Sequence, residues 1–231
     1  MSQCHESQTV APPVASHQRL IAIIGPPNSG KSTLFNRLTG LRQKVANFPG
    51  VTVEHHLGKV HVKGHHDVHL VDLPGIYSLT PRSEDERVSH DVLHGTMPGL
   101  RKPDAVMLVL DSTNLSRHLT LAAPILGLGL PTLVLLNMAD DLRDRGGEVD
   151  AEALAAQLGT PVALISASRG EGLAAVTQFL RGGIAVPKPV ELPVLQDVPK
   201  CRQWAARMSN EARYQTPVPP VWTRRLDGVF L

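Results

Sequence analysis

Aromatic residues, cysteines and long apolar runs are all scarce in this chain. Aromatic side chains make up 3% of its 231 residues, too few for the stacking platforms that bind single-stranded nucleic acids. The 23 basic and 21 acidic residues leave a formal charge of +2, whereas a nucleic-acid-binding surface needs a clustered excess of positive charge. The composition therefore predicts that nucleic acid is not a partner.

Neither cysteine belongs to a recognisable motif. Cys4 and Cys201 lie far apart in sequence and match no metal-binding or redox spacing, which is typical of inert thiols in a reducing compartment. No segment reaches the ~18 consecutive apolar residues that cross a bilayer, and the first residues lack a signal-peptide pattern. These absences favour a cytoplasmic location.

Short apolar runs alternate with helical periodicity between residues 19 and 182. Runs of strand length are Leu20–Ile24, Val68–Val71, Ala105–Leu110, Thr132–Leu136 and Val162–Ile165. Helical periodicity marks Ser32–Leu38, Glu84–His94, Leu115–Leu126, Asp150–Leu158 and Leu173–Leu180, and Glu54–Lys63 alternates like an antiparallel edge strand. Strands that are apolar throughout are typical of a sheet covered on both faces. The pattern predicts an α/β domain with a mostly parallel six-stranded sheet and helices on both sides.

The regions outside this domain differ in composition. Residues 1–18 are mostly polar and predict a disordered leader. Residues 183–231 are rich in proline, which favours an extended segment, and contain one predicted helix at Lys200–Tyr214. We therefore divide the chain into a leader, a domain at 19–182 and a short proline-rich helical segment at 183–231.

The strongest chemical signal is GPPNSGKS at residues 25–32, which fits the phosphate-loop pattern GxxxxGK[ST]. It follows an apolar strand and precedes a helix, so backbone amides and the helix N-terminus would face phosphate. Lys31 would bridge the β- and γ-phosphates and Ser32 would coordinate Mg²⁺. An ordinary glycine-rich turn with a surface lysine would not explain these flanks. The predicted phosphate contacts are Gly25, Asn28, Ser29, Gly30, Lys31, Ser32 and Thr33.

A second motif, Asp72-Leu73-Pro74-Gly75, ends the next apolar strand. In a phosphate-loop fold, a carboxylate at this strand end holds Mg²⁺ and the glycine amide senses the γ-phosphate. DxxG is usually a plain turn when it stands alone, but here it occupies the expected place after the phosphate loop. We therefore predict Asp72 as a magnesium ligand and Gly75 as a catalytic contact.

Base recognition is predicted at Asn137-Met138-Ala139-Asp140, after another buried strand. The Asp140 carboxylate would accept two hydrogen bonds from guanine that adenine cannot donate, so the site would reject ATP. Asn137 would tie this loop to the phosphate loop or reach the base edge, and Met138 would lie on the ring face. The alternative is a polar helix cap formed by Asp140.

Ser166-Ala167-Ser168 follows the last strand and matches a weaker fifth motif. In that motif the Ala167 amide would meet the guanine O6 atom. The four motifs occur in order, each at the carboxyl end of a predicted strand, where α/β sheets place their ligands. Together they predict a P-loop GTPase that binds guanine nucleotide.

The segment Arg19–Arg181 resembles a small GTPase, and finer details resemble the FeoB family of prokaryotic ferrous iron transporters. Motifs of that family are similar to NFPGVTVE at 47–54, DLPGIYSL at 72–79, NMAD at 137–140, NEARY at 210–214 and TRRLD at 223–227. The resemblance implies a GTP-hydrolysing cytosolic domain of a larger inner-membrane protein that moves Fe²⁺. Its implied partners are guanine nucleotide, the protein's own transmembrane iron-permease region and small cytosolic accessory proteins, and oligomers are allowed.

The resemblance also assigns roles to ions. It implies that Thr52 is the magnesium ligand of the first switch and takes part in hydrolysis. Relatives with asparagine at the position of Asn28 bind K⁺ beside the phosphates, where the cation replaces an arginine finger. The implied cofactors are GTP or GDP, Mg²⁺ and K⁺.

Two features depart from the family pattern, and a third departs from Ras-like enzymes. Pro26 stands where the family usually has asparagine, and proline has no amide to offer phosphate. Ile76 stands where Ras-like enzymes carry a water-orienting glutamine, so slow catalysis would depend on backbone groups, cations and Thr52. Residues 183–231 are also fewer than the family's helical domain requires.

Other interpretations remain open at this stage. A soluble GTPase of ribosome assembly or RNA modification shares this phosphate loop but predicts a basic appendage, and Ile76 is also compatible with a scaffold that binds GTP without turnover. A histidine cluster raises the question of a metal site, although an exposed hairpin without i,i+4 geometry favours ordinary surface histidines. The cluster is His55, His56, His61, His65, His66 and His69.

Overall fold

The computed structural model describes residues 18–40, 43–47, 53–62, 64, 66–182, 188 and 190–219. Within these ranges one sheet contains β1 (Arg19–Ile24), β2 (Gln43–Asn47), β3 (Glu54–Val60), β4 (Val68–Asp72), β5 (Ala105–Asp111), β6 (Thr132–Asn137) and β7 (Val162–Leu164). The strand order is β2-β3-β4-β1-β5-β6-β7. Neighbouring strands from β4 to β7 in this order pair in parallel. The strand β3 pairs antiparallel with both β2 and β4.

Helices cover both faces of this sheet. In the described part they are α1 (Lys31–Thr39), α2 (Glu84–His94), α3 (Leu115–His118), α4 (Ala122–Leu126), α5 (Ala139–Asp144), α6 (Ala151–Leu158), α7 (Ala174–Leu180) and α8 (Val198–Glu211). The central strand β1 divides its side chains between two cores. Leu20, Ala22 and Ile24 pack with α2, α4, α6 and α8, while Ile21 and Ile23 pack with α1 and α7. The predicted α/β class with a mostly parallel, doubly covered sheet is confirmed.

The sheet has one more strand than the sequence predicts. The edge strand predicted at Glu54–Lys63 is present as β3, and it pairs on its outer side with β2, where Gln43 lies opposite Gly58. The run QKVAN at 43–47 has little apolar alternation, so its extended conformation follows from backbone pairing with β3 rather than from its own pattern.

The predicted helix Leu115–Leu126 is interrupted. A short turn of 3₁₀-helix at Leu119–Leu121 separates α3 from α4. Pro124 accounts for this break, because its ring clashes with the carbonyl four residues earlier and proline is tolerated only in the first turn of a helix. The helix α5 is not predicted, since six residues are too few to show a helical period.

The helix α2 has the bounds that the sequence predicts. Its amide at Glu86 donates to the Ser83 hydroxyl at 3.2 Å, and the Glu86 carboxylate accepts from the Ser83 amide at 3.2 Å. This reciprocal capping box satisfies two amides that the first helical turn leaves without partners. At the other end, Gly95 adopts φ 79° and closes the helix.

The helix α8 lies within the proline-rich segment and packs on the domain itself. The predicted helix at Lys200–Tyr214 is present, with bounds Val198–Glu211 and an N-cap at Asp197. Its apolar side contributes Trp204, Ala205 and Met208 to the core that also contains α6. In the described ranges no helix combines the length and apolarity that a bilayer crossing requires.

Polar contacts fix the position of α8. The Trp204 indole donates to the Glu191 carbonyl at 3.2 Å, and the Tyr214 hydroxyl donates to the Thr113 carbonyl at 2.9 Å. Cys201 is 8% exposed on the packed side, which agrees with an inert thiol. The helix is therefore part of the domain's hydrophobic core.

Replacing Trp204 with alanine tests the docking of α8. Trp204 is 5% exposed, so Trp204→Ala should lower the free energy of unfolding by about 3–5 kcal/mol, measured by urea denaturation. The exposed neighbour Gln203 provides the control, because Gln203→Ala should change stability by less than about 0.5 kcal/mol. Equal effects of the two changes would contradict the docking of this helix.

Candidate nucleotide site

The phosphate loop connects β1 to α1, and two of its glycines are required by close contacts. A Cβ atom at Gly25 would lie 2.0 Å from the Val109 carbonyl oxygen. Gly30 adopts φ 85°, and a Cβ atom there would lie 2.1 Å from the Asn137 side-chain nitrogen. Gly30 is also the N-cap of α1, and because it has no side chain it cannot accept hydrogen bonds from the first amides of the helix. The amides of the first helical turn therefore face the loop, as an anion site requires.

Lys31 points into the loop that precedes it. Its side-chain nitrogen donates to the Pro26 carbonyl at 3.1 Å, and the residue is 7% exposed. Burial lowers the pKa of the Lys31 ammonium, and the Asp72 carboxylate partly offsets that effect. The Ser29 amide also donates to the Pro26 carbonyl, at 3.3 Å. Pro26 thus closes the loop through its carbonyl, so its missing amide leaves the loop intact.

Ser32 and Asp72 form the oxygen pair predicted for magnesium. The Ser32 hydroxyl donates to Asp72 Oδ2 at 3.0 Å. Asp72 Oδ1 is buried and has no hydrogen-bond partner. Burial raises the pKa of Asp72 above its usual value, against the opposing influence of the Ser32 hydrogen bond and the Lys31 charge. An orphaned carboxylate oxygen beside a hydroxyl fits Mg²⁺, which prefers oxygen ligands and shares them with phosphates.

Gly75 brings the loop after β4 against the phosphate loop. A Cβ atom at Gly75 would lie 2.8 Å from Pro27 Cα and 3.1 Å from the Lys31 side-chain nitrogen. The next amide, of Ile76, donates to the Gly25 carbonyl at 3.1 Å. The Ile76 side chain is 2% exposed and packs in the core. Only backbone at positions 75 and 76 therefore faces the predicted phosphates.

Asn28 lies in the phosphate loop, and Thr33 lies in the helix that follows it. Asn28 is exposed and adopts φ 61°, in the left-handed region where asparagine is among the commoner non-glycine residues. Thr33 is exposed in the first turn of α1. Thr52 lies outside the described residues.

The base-reading loop is tied to the phosphate loop by Asn137. Its side-chain nitrogen donates to the Ser29 carbonyl at 2.9 Å, and its side-chain oxygen accepts from the Ala167 amide at 2.9 Å. Asn137 is 3% exposed. Of the two roles considered from the sequence, the structure contains the loop tie, and the contact with the base edge stays a prediction.

The Ala167 amide, which the fifth motif predicts to meet the guanine O6 atom, donates to the Asn137 side-chain oxygen. The contact with O6 stays a prediction. An amide has one hydrogen to donate, so Ala167 in this arrangement holds the base-reading loops together. The hydroxyls of Ser166 and Ser168 lie 3.1 Å apart in the same loop.

The charge of Asp140 and the backbone conformation of Met138 are typical of a functional site. Although burial opposes ionisation of Asp140, the Ser166 hydroxyl, backbone amides and Arg169 hold its pKa below the usual value. The carboxylate is therefore ionised at neutral pH and accepts hydrogen bonds. Met138 adopts φ 64°, and such a conformation costs energy for a side chain of this size and recurs at functional sites.

Sequence reasoning missed two arginines at this edge. Arg169 Nε lies 3.0 Å from Asp140 Oδ2, and the Arg169 guanidinium also lies 3.2 Å from Asp144. Arg37 of α1 donates to the carbonyls of Ala167 and Ser168. Arg169 could have been identified from its position directly after the fifth motif. Nothing in the local sequence of α1 identifies Arg37.

The histidines between residues 55 and 69 belong to no group of three metal-ligating side chains in the part of the chain described. His61 Nδ1 lies 2.7 Å from an Asp67 oxygen at an exposed position. Burial lowers the pKa of His69, with the Lys59 charge acting in the same direction. No three histidine, cysteine or acidic side chains gather around a common point within the described ranges. His65 lies outside them.

Known proteins have related sequences. A family profile described as ferrous iron transport protein B matches residues 19–180. The chain is 44% identical over 161 residues to the Fe(2+) transporter FeoB of Salmonella typhimurium, and the match takes in 68% of this chain and 20% of that protein. The chain thus spans about a fifth of the length of such curated relatives.

Two solved structures are similar as well. The cytosolic domain of L. pneumophila FeoB has a TM-score of 0.67 at 39% identity, over 74% of this chain and 66% of that one. A GDP-bound mutant of the S. thermophilus FeoB G-domain has a TM-score of 0.68 at 37% identity, over 77% of this chain and 66% of that one.

Asn137→Ala tests the structural role of the loop tie without nucleotide. The change would leave the Ser29 carbonyl and the Ala167 amide buried without partners, so the free energy of unfolding should fall by roughly 2–4 kcal/mol. Asn210→Ala, at an exposed position of α8, is the control and should be nearly neutral. Unchanged stability combined with weaker nucleotide binding would mean that Asn137 acts on the base instead.

Proposed function

The chain belongs to the ferrous iron transport protein B family, and from this membership and the site geometry we propose that residues 19–182 form a GTPase module. The module would bind GTP or GDP with Mg²⁺ and hydrolyse GTP to GDP and phosphate. The observation that carries the proposal is Asp72 Oδ1, a buried oxygen without a hydrogen-bond partner. The Asp72 side chain lies at the end of β4, next to Ser32 and Lys31 at the end of the phosphate loop. The GDP bound to the S. thermophilus G-domain supports the choice of nucleotide.

The phosphates would be held by backbone amides from Gly30 to Thr33 together with the Lys31 ammonium. The Ser29 amide, which donates to the Pro26 carbonyl, would join them by exchanging that partner for a phosphate oxygen. Lys31 lies against the Pro26 carbonyl and needs only to exchange that partner for a phosphate oxygen. Ser32 and Asp72 would supply oxygen ligands to Mg²⁺, which when bound neutralises charge on the phosphates. The remaining ligand from the protein would be Thr52.

Base selection would rest on the ionised Asp140 carboxylate. Guanine offers it two donors, N1–H and the exocyclic amine, and adenine offers no such pair. Arg169 lies against one oxygen of Asp140, and an ionised carboxylate has enough acceptor positions to bind the base as well. Met138, half-buried beside it, would cover one face of the ring.

Hydrolysis would proceed without a glutamine at position 76, because Ile76 is packed in the core. The groups that can orient water or stabilise developing charge are the Gly75 amide, Thr52 and a monovalent cation near Asn28. Slow turnover is therefore expected, and K⁺ would supply the charge that an arginine finger supplies elsewhere.

The role in the cell follows from family membership and is proposed for the whole protein. The module would lie on the cytoplasmic side of the inner membrane and couple its nucleotide state to Fe²⁺ uptake through a transmembrane permease region. Small cytosolic accessory proteins and further copies of the protein are proposed partners. Family membership favours this role over a soluble GTPase of ribosome assembly or RNA modification.

Asp140→Asn tests the base reader. The amide can no longer accept both guanine hydrogens, so GTP affinity should fall at least tenfold. The affinity for xanthine nucleotides should rise relative to that for GTP. Titration calorimetry measures both. Asp144→Asn is a matched control, because Asp144 also pairs with Arg169 but its side chain is 64% exposed. This change should leave GTP affinity unchanged. ATP binding as tightly as GTP to the native chain would contradict the assignment.

Asp72→Asn separates magnesium binding from folding. The neutral amide removes a buried charge, so the nucleotide-free protein should lose no stability, while the gain in GTP affinity on adding Mg²⁺ should fall at least tenfold. Asp67→Asn, in a surface pair with Lys59, should leave that gain intact. Identical Mg²⁺ titrations of native and Asp72→Asn protein would remove Asp72 from the metal site.

Potassium activation tests Asn28. GTP hydrolysis should run several-fold faster in K⁺ than in Na⁺ at equal ionic strength, because the larger, less tightly hydrated ion fits carbonyl and amide oxygens better. Asn28→Ala should abolish the difference and keep GDP affinity, whereas Asn210→Ala should preserve it. Equal rates in the two salts, with Mg²⁺ saturating, would refute the potassium role.

A further inference from the structure

The last turn of α2 carries two histidines on one face. His90 and His94 have ring centroids 4.0 Å apart and an interplanar angle of 24°. Their i,i+4 spacing brings the side chains together on the helix surface. The run HDVLH at 90–94 has the spacing with which paired helix histidines bind zinc in HExxH motifs. Neither histidine takes part in the proposed nucleotide site.

The hydrogen bonds of this pair fix which ring nitrogen carries hydrogen. His94 Nδ1 lies 2.8 Å from the His90 carbonyl oxygen, and a carbonyl only accepts, so Nδ1 donates. His90 Nδ1 lies 3.2 Å from an Asp91 carboxylate oxygen, which likewise accepts. Each neutral ring therefore presents its lone pair at Nε2. Metal-ligating histidines are oriented in this way, by a carbonyl or carboxylate on the other nitrogen.

Electrostatics at this point of the helix favour a cation. The pair occupies the C-terminal turn of an 11-residue helix, where the helix dipole places partial negative charge. The Asp91 carboxylate adds a full negative charge next to His90. His94 is exposed and His90 is half-buried, so a hydrated ion reaches both rings.

We propose that His90 and His94 form a binding site for a divalent transition metal ion of the class that imidazole prefers, such as Ni²⁺, Zn²⁺ or Fe²⁺. The two Nε2 atoms hold the ion, and water completes its coordination. Mg²⁺ prefers oxygen ligands and is excluded by donor type. Within the described ranges no third histidine, cysteine or acidic ligand joins the pair, so the site is weaker than a four-ligand zinc site.

Calorimetric titration of the nucleotide-free chain with NiCl₂, in buffer containing excess Mg²⁺, tests the site. The strongest class of sites should bind one Ni²⁺ per chain. His90→Gln and His94→Gln should each weaken that binding at least tenfold. The double change should weaken it no further than either single change, because one remaining imidazole cannot chelate. Both positions lie on the helix surface, and unfolding curves verify that the variants fold.

His61→Gln is the matched control. The Asp67 carboxylate orients His61 at Nδ1 as Asp91 orients His90, but His61 has no i,i+4 histidine on a helix. Nickel affinity should be unchanged in this variant. Retention of native affinity in His90→Gln or His94→Gln, or an equal loss in His61→Gln, would overturn the proposal. Imidazole ¹⁵N spectra give a second measurement: Nδ1–H tautomers of both rings support the site, and an Nε2–H tautomer at His94 contradicts it.

Discussion

Three loops of the nucleotide site meet at the carboxamide of Asn137. Its nitrogen holds the Ser29 carbonyl of the phosphate loop, and its oxygen holds the Ala167 amide of the fifth motif. Because the residue is buried, water cannot replace either bond at low cost. The same carboxamide leaves no room for a side chain at Gly30. The loops proposed to bind phosphate and base thus share one support, and a shift of either loop would move the other.

The phosphate end of the site is costly to build. Lys31 and Asp72 are both nearly buried, and burial shifts the pKa of each toward its neutral form. One carboxylate oxygen of Asp72 has no partner at all. Buried polar groups are almost always hydrogen-bonded, so a carboxylate oxygen without a partner points to a bound ion or a catalytic role. Bound magnesium and phosphate would offset this cost, so nucleotide should stabilise the fold as well as serve the reaction.

Much of this arrangement was predictable because it depends on local patterns. Continuous apolar runs identify the parallel strands, helical periodicity identifies α2, and glycines identify the phosphate loop. What could not be predicted depends on partners distant in sequence. The strand β2 exists through pairing with β3. Arg37 reaches a loop 130 residues away, and the Ala167 amide is taken by Asn137 at a separation of 30 residues.

The position of Ile76 links packing to the expected chemistry. Its amide is bonded to the Gly25 carbonyl, and its side chain joins the core that contains Val88 and Val92 of α2. A polar, water-orienting side chain at this position would be buried without partners, so the backbone path excludes glutamine here. The same path holds Gly75 against Pro27. A change at the γ-phosphate would therefore be passed through backbone contacts to α2, while any side chain that assists hydrolysis would have to come from outside this loop.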